Sequence, residues 1–173
     1  TRANNVYGLT KLLGEETVKW ASRRHGLRFT ILRLTNVYGP GGDNYGLQIM
    51  IRKAVTEKRV DIMGGKQKMN FIHVDDVTRA ISMCVREPRS DGMIFNVGSI
   101  DEISIDEVVE ELGKVLGKEL HVNRLPFRET ETMYFKPDLS RILTTIGWAP
   151  SIRFMDGLKR TVEWYRERLC GTV

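Results

Sequence analysis

A tyrosine and a lysine, Tyr7 and Lys11, lie four residues apart near the start of the chain. On a helix this spacing places both on one face about one turn apart, so the ammonium reaches the surroundings of the phenol. A free phenol titrates near pH ~10 and is a poor base at neutral pH, and a neighbouring cation lowers that value. A phenol tuned in this way can take a proton from a hydroxyl while the adjoining carbon gives hydride to a nicotinamide, leaving the lysine to hold a cofactor ribose hydroxyl. The alternative is a solvated pair on an amphipathic helix, which is the commoner meaning of an isolated Tyr-x-x-x-Lys.

Alternating helix and strand patterns indicate the elements that position this pair. Apolar spacing predicts a helix over residues 5–25 that ends at Gly26, followed by a buried strand over residues 28–36. Further strands are predicted at residues 60–63, 70–74, 93–97 and 119–125, and further helices at residues 47–58, 75–86, 105–116, 138–146 and 154–169. This alternation predicts an α/β fold with a mostly parallel sheet.

Local signals mark several helix starts. Ser104 with Glu107 predicts a capping box, and either Asp75 or Asp76 is expected to cap a helix. We interpret these two aspartates as caps rather than metal ligands. His73 lies between apolar neighbours and is interpreted as a structural residue.

Composition excludes several classes of protein. The 173 residues are 41% hydrophobic and 28% charged, with a net charge of +5, which suits a chain that buries one sizeable core. No apolar run is long enough to span a bilayer and no signal-peptide pattern occurs, so we expect no membrane partner. Basic residues are scattered without aromatic interleaving, so we expect no nucleic-acid partner. Two cysteines, Cys84 and Cys170, are too few for a disulfide framework, which favours the cytoplasm.

Five motifs in order carry a resemblance. The chain resembles the C-terminal part of an extended short-chain dehydrogenase/reductase, within the NAD-dependent nucleotide-sugar epimerase and dehydratase family that includes UDP-glucose 4-epimerase. The resemblance covers the whole chain. The matching segments are residues 5–11 with Glu15, residues 32–40, residues 70–77, residues 95–98, and residues 138–140 with 147–150.

The resemblance implies a fold and a cofactor. Residues 1–36 are expected to end a Rossmann-type doubly wound domain, and residues 37–173 to form mainly a small α/β substrate-binding lobe, with residues 70–99 returning to the Rossmann-type sheet. The implied cofactor is NAD. No glycine-rich phosphate loop occurs at a strand-to-helix turn, so we expect the N-terminal dinucleotide-binding half, about ~120 residues, to be absent. Half of such a sheet exposes a strand edge and an apolar face.

The resemblance also assigns roles to residues. Tyr7 and Lys11 match the catalytic and cofactor-binding pair, and Asn36 matches an asparagine that holds the substrate diphosphate. The alternative for Asn36 is a turn-forming residue at a strand end. Substrate contacts are likewise implied for Asn44, Arg128 and Glu131, the last two as a guanidinium for phosphate and a carboxylate for ribose hydroxyls, with a solvated loop pair as the alternative.

One position departs from the family pattern. Met69 occupies the place of an arginine that binds the diphosphate in many members, and Asn70 follows where an acid is usual. Lys66 and Lys68 are candidates to replace that arginine, although a lysine offers a point charge rather than a fork.

The expected function follows from these matches. The parent enzyme is expected to be a nucleotide-sugar 4-epimerase that oxidises a sugar hydroxyl transiently, with this chain inactive alone and the complete enzyme a homodimer. Two alternatives stay open. One is a nucleotide-sugar 4,6-dehydratase of the same family, and the other is a non-catalytic nucleotide-binding or assembly module.

Overall fold

The structure is a computed structural model that describes residues 5–42, 45–126 and 134–171. The helices are α1 (Val6–His25), α2 (Gly46–Glu57), α3 (Val74–Arg86), α4 (Ile105–Leu116), α5 (Ser140–Ile146) and α6 (Phe154–Cys170), with a 3-10 turn at Pro88–Ser90. The strands are β1 (Thr30–Leu34), β2 (Asn36–Tyr38), β3 (Arg59–Met63), β4 (Lys68–Met69), β5 (Phe71–His73), β6 (Met93–Val97), β7 (Ile103–Ser104) and β8 (His121–Leu125).

The described strands form four pairs. β1 pairs with β6, β2 with β5 and β3 with β8, all in parallel, whereas β4 pairs with β7 in antiparallel fashion. Parallel pairs need helical crossovers, and the intervening helices supply them. The predicted α/β class with a mostly parallel sheet is therefore confirmed.

The larger core lies between α2, α4 and α6 and the β3–β8 pair, which together we call the lobe. Its apolar side chains come from every one of these elements. The fully buried ones are Ile51, Val60, Val108, Leu112, Leu158 and Val162. The helices bury whole apolar stripes here, so the periodicity of the sequence predicted this region well.

A second core lies under α3 and α5, against β5 and β6. Its fully buried members are Ile72, Ala80, Phe95, Val97, Ile142 and Trp148. The Trp148 indole Nε1 donates to the carbonyl of Asp76 at 3.2 Å, so its single polar group is satisfied. Trp148 therefore packs the turn after α5 against α3.

The strand predicted over residues 28–36 divides into β1 and β2 at Thr35. The backbone amide of Thr35 donates to Val97 of β6, whereas the next amide, that of Asn36, donates to Asn70 beside β5. The chain changes its pairing partner at this point, so Asn36 begins β2 rather than ending β1. β1 is also half-buried rather than buried, and it pairs only with β6 among the described strands.

Two further features of this part of the chain differ from the predictions. The strand predicted over residues 70–74 is limited to β5, because Val74 already begins α3; the unpredicted strand β4 precedes it and pairs with β7 rather than β2. The cap of α3 is His73, not Asp75 or Asp76: its Nδ1 accepts from the backbone amide of Asp75 at 3.3 Å. The two aspartates occupy the first turn, where their charge suits the helix dipole.

Candidate functional site

The first turns of α1 carry the tyrosine and lysine pair. The Oδ1 atom of Asn5 caps the helix by accepting from the amide of Gly8 at 2.7 Å. Tyr7 is 71% exposed, and the Lys11 Nζ atom lies 5.2 Å from the centroid of its ring. Neither the phenol oxygen nor this ammonium forms a hydrogen bond within the described part of the chain. The spacing therefore brings the two groups together as predicted, and both remain available to a ligand.

One side-chain ion pair joins α1 to the sheet. Arg33 of β1 donates from Nε and Nη2 to the two carboxylate oxygens of Glu15, at 2.7 and 2.6 Å. The hydrogen bond from Arg33 lowers the pKa of the Glu15 carboxyl, and the same bond raises the pKa of Arg33. Glu15 therefore stays ionised and bound to the strand across the neutral pH range.

Asn36 lies where β1 passes into β2. Its Nδ2 donates to the carbonyl of Asn70 at 3.1 Å, and its backbone amide donates to the same oxygen at 3.2 Å. One amide proton and the Oδ1 atom of Asn36 have no such contact among the described residues, so they remain for a ligand. The arrangement is compatible both with the substrate role and with the alternative of a strand-end turn residue.

The buried amide of Asn70 was not recognised as functional from the sequence. Its Nδ2 donates to the carbonyls of Ser99 and Asp101 at 2.8 and 3.0 Å, and its Oδ1 accepts from the Ser99 amide at 2.9 Å. An aspartate would place a carboxylate against two carbonyl oxygens, which explains the amide at this position. The only sequence signal was its departure from the usual acid.

Lys68 and Met69 form the short strand β4, and Lys66 precedes that strand. Met69 is half-buried and packs against the core of the lobe, whereas Lys66 and Lys68 are exposed. Successive side chains of a strand point to opposite faces, so Lys68 does not occupy the space of residue 69. The structure thus gives no support to Lys68 as a substitute at that position.

A buried tyrosine and histidine end β2 and β5 as register partners. The rings of Tyr38 and His73 meet edge to face at 5.3 Å, and the Tyr38 hydroxyl donates to the carbonyl of Phe154 at 3.1 Å. Burial lowers the pKa of His73, and burial raises the pKa of Tyr38. Gly157 of α6 approaches both rings so closely that a methyl group there would overlap them. The structure supports a packing role for His73.

Asp76 holds the segment after Trp148. Its buried carboxylate accepts from the amides of Ser151 and Ile152 and from Arg79 Nη2, at 2.7 to 3.1 Å. Burial alone would raise the pKa of Asp76, but these hydrogen bonds outweigh it and lower the pKa. Asp76 is therefore an ionised structural anchor.

Three candidate residues, Asn44, Arg128 and Glu131, lie outside the described residues. Within the described ranges no group of three or more His, Cys, Asp or Glu side chains has a geometry that would hold a metal ion. Among the helices of those same ranges, none is long and apolar enough to cross a membrane.

Comparison with known proteins decides the family. The NAD dependent epimerase/dehydratase family matches residues 1–98, more than half of the chain. The chain belongs to this family. The resemblance inferred from the five motifs is therefore confirmed, and the family is NAD-dependent.

Relatives from several organisms are similar over nearly the whole chain. A putative UDP-glucose 4-epimerase of Methanocaldococcus jannaschii is 32% identical over 165 residues, which cover 92% of this chain and 53% of the relative. A UDP-glucuronate 4-epimerase of Thermodesulfobacterium geofontis is 30% identical, over 84% of this chain and 45% of the relative. The chain thus spans about half the length of these relatives.

Solved structures agree with this assignment. The UDP-glucose 4-epimerase of Thermotoga maritima, crystallised with UDP-glucose, is similar with a TM-score of 0.86 and 28% identity over 94% of this chain and 54% of that chain. The UDP-glucuronic acid 4-epimerase of Bacillus cereus, solved with UDP-glucuronic acid and NAD, gives a TM-score of 0.88 and 25% identity over 94% of this chain and 52% of that chain. The Rossmann-type fold class is confirmed, as part of a larger domain.

The groups of the exposed pair on α1 suit a cofactor ribose. An ammonium and a phenol without other hydrogen-bond partners in the described structure can donate to and accept from a ribose diol. That Tyr7 and Lys11 contact the cofactor stays a prediction.

Proposed function

We propose that the chain is the catalytic and substrate-binding part of an NAD-dependent nucleotide-sugar 4-epimerase similar to UDP-glucose 4-epimerase. The observation that carries the proposal is the exposed phenol of Tyr7, with the Lys11 ammonium 5.2 Å from its ring centroid. Membership of the NAD dependent epimerase/dehydratase family raises this pair above the solvated alternative. Because the chain spans about half of its relatives, activity requires the complementary half.

In the proposed mechanism the phenol oxygen of Tyr7 takes the proton of the sugar hydroxyl. Tyr7 and Lys11 would hold NAD, which would supply a reversible hydride acceptor for the carbon that bears this hydroxyl. Lys11 holds a ribose hydroxyl of the cofactor beside the phenol. Tyr7 returns the proton to the sugar oxygen once hydride has come back to the opposite face of the ring.

The substrate groups are assigned by the same proposal. Asn36 contacts the diphosphate through its second side-chain amide proton, which Asn70 leaves free and which donates to a phosphate oxygen. Asn44, Arg128 and Glu131 complete the nucleotide site. Residues 1–36 belong to the Rossmann-type domain and residues 37–173 mainly to the substrate lobe, with residues 70–99 returning to the sheet. The pairing of β6 with β1 supports that return.

A second copy of the complete enzyme is the proposed partner of α1. The exposed apolar side chains of this helix, among them Leu9 and Leu13, support a helical dimer interface. Sedimentation of the complete enzyme tests this: a single monomeric species at micromolar concentration would contradict it.

A 4,6-dehydratase is the second candidate reaction. It is favoured by a dTDP-glucose 4,6-dehydratase of Streptomyces niveus that is 30% identical over 95% of this chain and 49% of the relative. Both reactions begin with the same oxidation of the sugar, in which Tyr7 takes the hydroxyl proton, so the products distinguish them. An epimerase returns a sugar of unchanged mass, whereas a dehydratase releases a product lighter by one water.

Two measurements test the proposal. In the first, the chain is isotopically labelled and titrated with UDP-glucose, with glucose as the control. Chemical-shift changes are expected only around Asn36 and in the lobe, and saturable changes elsewhere would contradict the proposed site. In the second, the chain is joined to the N-terminal half of the Methanocaldococcus jannaschii relative, which it does not match, and the products formed from UDP-glucose are weighed and separated.

A further inference from the structure

α1 carries Tyr7 and Lys11 but packs few apolar side chains against the rest of the described structure. None of its described residues is buried. At its C-terminal end, the connection to β1 is held by Arg28 Nε and the Phe29 amide, which both donate to Asp91 at 3.0 Å. Toward its N-terminus, the Glu15 side chain supplies the one hydrogen-bonded link from α1 to another described element. Packing alone therefore fixes neither the tilt nor the rotation of the turns that carry Tyr7.

Tyr7, Lys11 and Glu15 are spaced by four residues each. On a helix such residues follow one stripe, so the direction of the Glu15 side chain sets the direction of the other two. Glu15 faces β1, where its side chain is 12% exposed and that of Arg33 is 33% exposed. The two hydrogen bonds are parallel and charge-assisted, and a guanidinium fork accepts a carboxylate in few orientations. Such a contact restricts the rotation of α1 about its axis as well as its distance from β1.

The ion pair also fixes the position of α1 along the direction of β1. The short connection after His25 makes α1 run back along β1, so the N-terminus of the helix points to the carboxyl end of the strand. From Glu15, Tyr7 lies eight residues or about 12 Å further along the helix. From Arg33, Asn36 lies three residues or about 10 Å further along the chain. The ion pair therefore brings Tyr7, the proposed acid/base group, and Asn36, which is proposed to bind the diphosphate, to the same height along the sheet.

We propose that Glu15 and Arg33 are positioning residues for the Tyr7 and Lys11 pair, a role that rests on the proposed function of that pair. They act through α1: the ion pair fixes the rotation of the helix about its axis and its position along β1, and neither residue contacts substrate or cofactor. Loss of the pair leaves the lobe folded and lets the first half of α1 rotate and tilt.

The first test compares Glu15→Gln with Glu16→Gln in the whole chain. Glu16 is a matched control, because its carboxylate pairs with Lys19 Nζ of the same helix at 2.6 Å and with no other side chain that the structure describes. Amide hydrogen exchange over residues 9–16 is expected to rise at least tenfold in Glu15→Gln and less than threefold in Glu16→Gln. Exchange in β3, β8 and α4 is expected to stay unchanged in both variants. Equal exchange of α1 in the two variants would overturn the proposal.

The second test measures orientation rather than stability. Residual dipolar couplings of the α1 amides, expressed in the frame of β1 and β6, are expected to shrink by about half in Glu15→Gln while the melting temperature changes little. The reversed pair Glu15→Arg with Arg33→Glu is expected to restore them, and failure of this rescue would overturn the proposal. Should Glu15→Gln not fold, Arg33→Lys, which keeps the charge and removes the fork, is expected to reduce the couplings to an intermediate value; unchanged couplings would overturn the proposal.

These readouts need neither NAD nor substrate. Fixed α1 couplings in all variants would remove the positioning role and leave the catalytic role of Tyr7 intact. Conversely, if Tyr7 is not the acid/base group, the measured effect of Glu15 on the orientation of α1 still stands.

Discussion

The lobe and the α1–β1 region, residues 6–34, are stabilised in different ways. The lobe buries aliphatic side chains from three helices and two strands, among them Leu112 and Leu158, with no exposure to solvent. In the α1–β1 region, by contrast, Leu13 is 57% exposed and the described link between helix and strand is a single bidentate ion pair. The proposed chemistry lies in the region with the less extensive packing, so there polar contacts rather than a core determine the geometry.

The largest difference in the free energy of unfolding is expected between two Leu→Ala variants, one in each region. Leu112→Ala in α4 removes a fully buried side chain and is expected to lower the free energy of unfolding by about 3 kcal/mol. Leu13→Ala in α1 removes an exposed one and is expected to change it by less than about 0.5 kcal/mol. Urea denaturation measures both. Equal losses would remove the contrast between the regions.

A smaller loss is expected where α3 meets the segment after Trp148. Asp76→Asn keeps the shape of a buried carboxylate but places an amide against donors, so the free energy of unfolding should fall by about 2 kcal/mol. The exposed neighbour serves as the control, and Asp75→Asn is expected to stay within about 0.5 kcal/mol. A loss in Asp75→Asn as large as that in Asp76→Asn would contradict the anchoring role.

The buried His73 predicts a dependence of stability on pH. Burial lowers the pKa of its imidazole; the nearby Asp75 and Asp76 oppose this shift and Arg160 adds to it. The unfolded chain therefore takes up the proton first, and stability declines as pH falls below about 6.5 until the folded pKa is reached.

His73→Asn isolates this contribution, since an asparagine also caps a helix but does not titrate. Urea denaturation between pH 7 and pH 5 is expected to show a flatter pH dependence for this variant than for the unmodified chain. His121→Asn, at an exposed position, is expected to keep the original dependence. Equal slopes for His73→Asn and the unmodified chain would contradict the burial argument.

The smallest effect is expected from the two helix caps. Ser104→Ala removes the capping box of α4 and should lower the free energy of unfolding by about 1 kcal/mol. Asn5→Ala removes the cap of α1, and because that helix is mostly exposed we expect faster amide exchange in its first turn with little change in global unfolding. A global loss in Asn5→Ala equal to that in Ser104→Ala would show that α1 and the lobe unfold together.

Local sequence signals predicted the parts of the structure that depend on local interactions. Gly26 ends α1 in the left-handed conformation, and Ser104 with Glu107 forms the capping box of α4. The exposed Tyr7 and Lys11 pair follows from helix geometry alone. These features involve residues within one turn of each other, so the sequence contains all the information that they need.

Contacts between distant segments were not predicted. The division at Thr35 depends on β5 and β6, which lie more than thirty residues away in the sequence. The hydrogen bonds of the buried Asn70 amide depend on which backbone groups the fold brings near it. Residue type and spacing do not contain that information.

The most direct measurement is the initial rate of UDP-glucose epimerisation by the chain joined to the complementary half of its relative, with Tyr7→Phe compared with Tyr45→Phe. The two tyrosines are equally exposed, at 71%, so they differ in position rather than in accessibility. We expect Tyr7→Phe to lower the rate by about 10² to 10⁴ while UDP-glucose still binds, and Tyr45→Phe to change it less than about threefold. A Tyr7→Phe enzyme that keeps the unmodified rate would contradict the proposal that Tyr7 is the acid/base group.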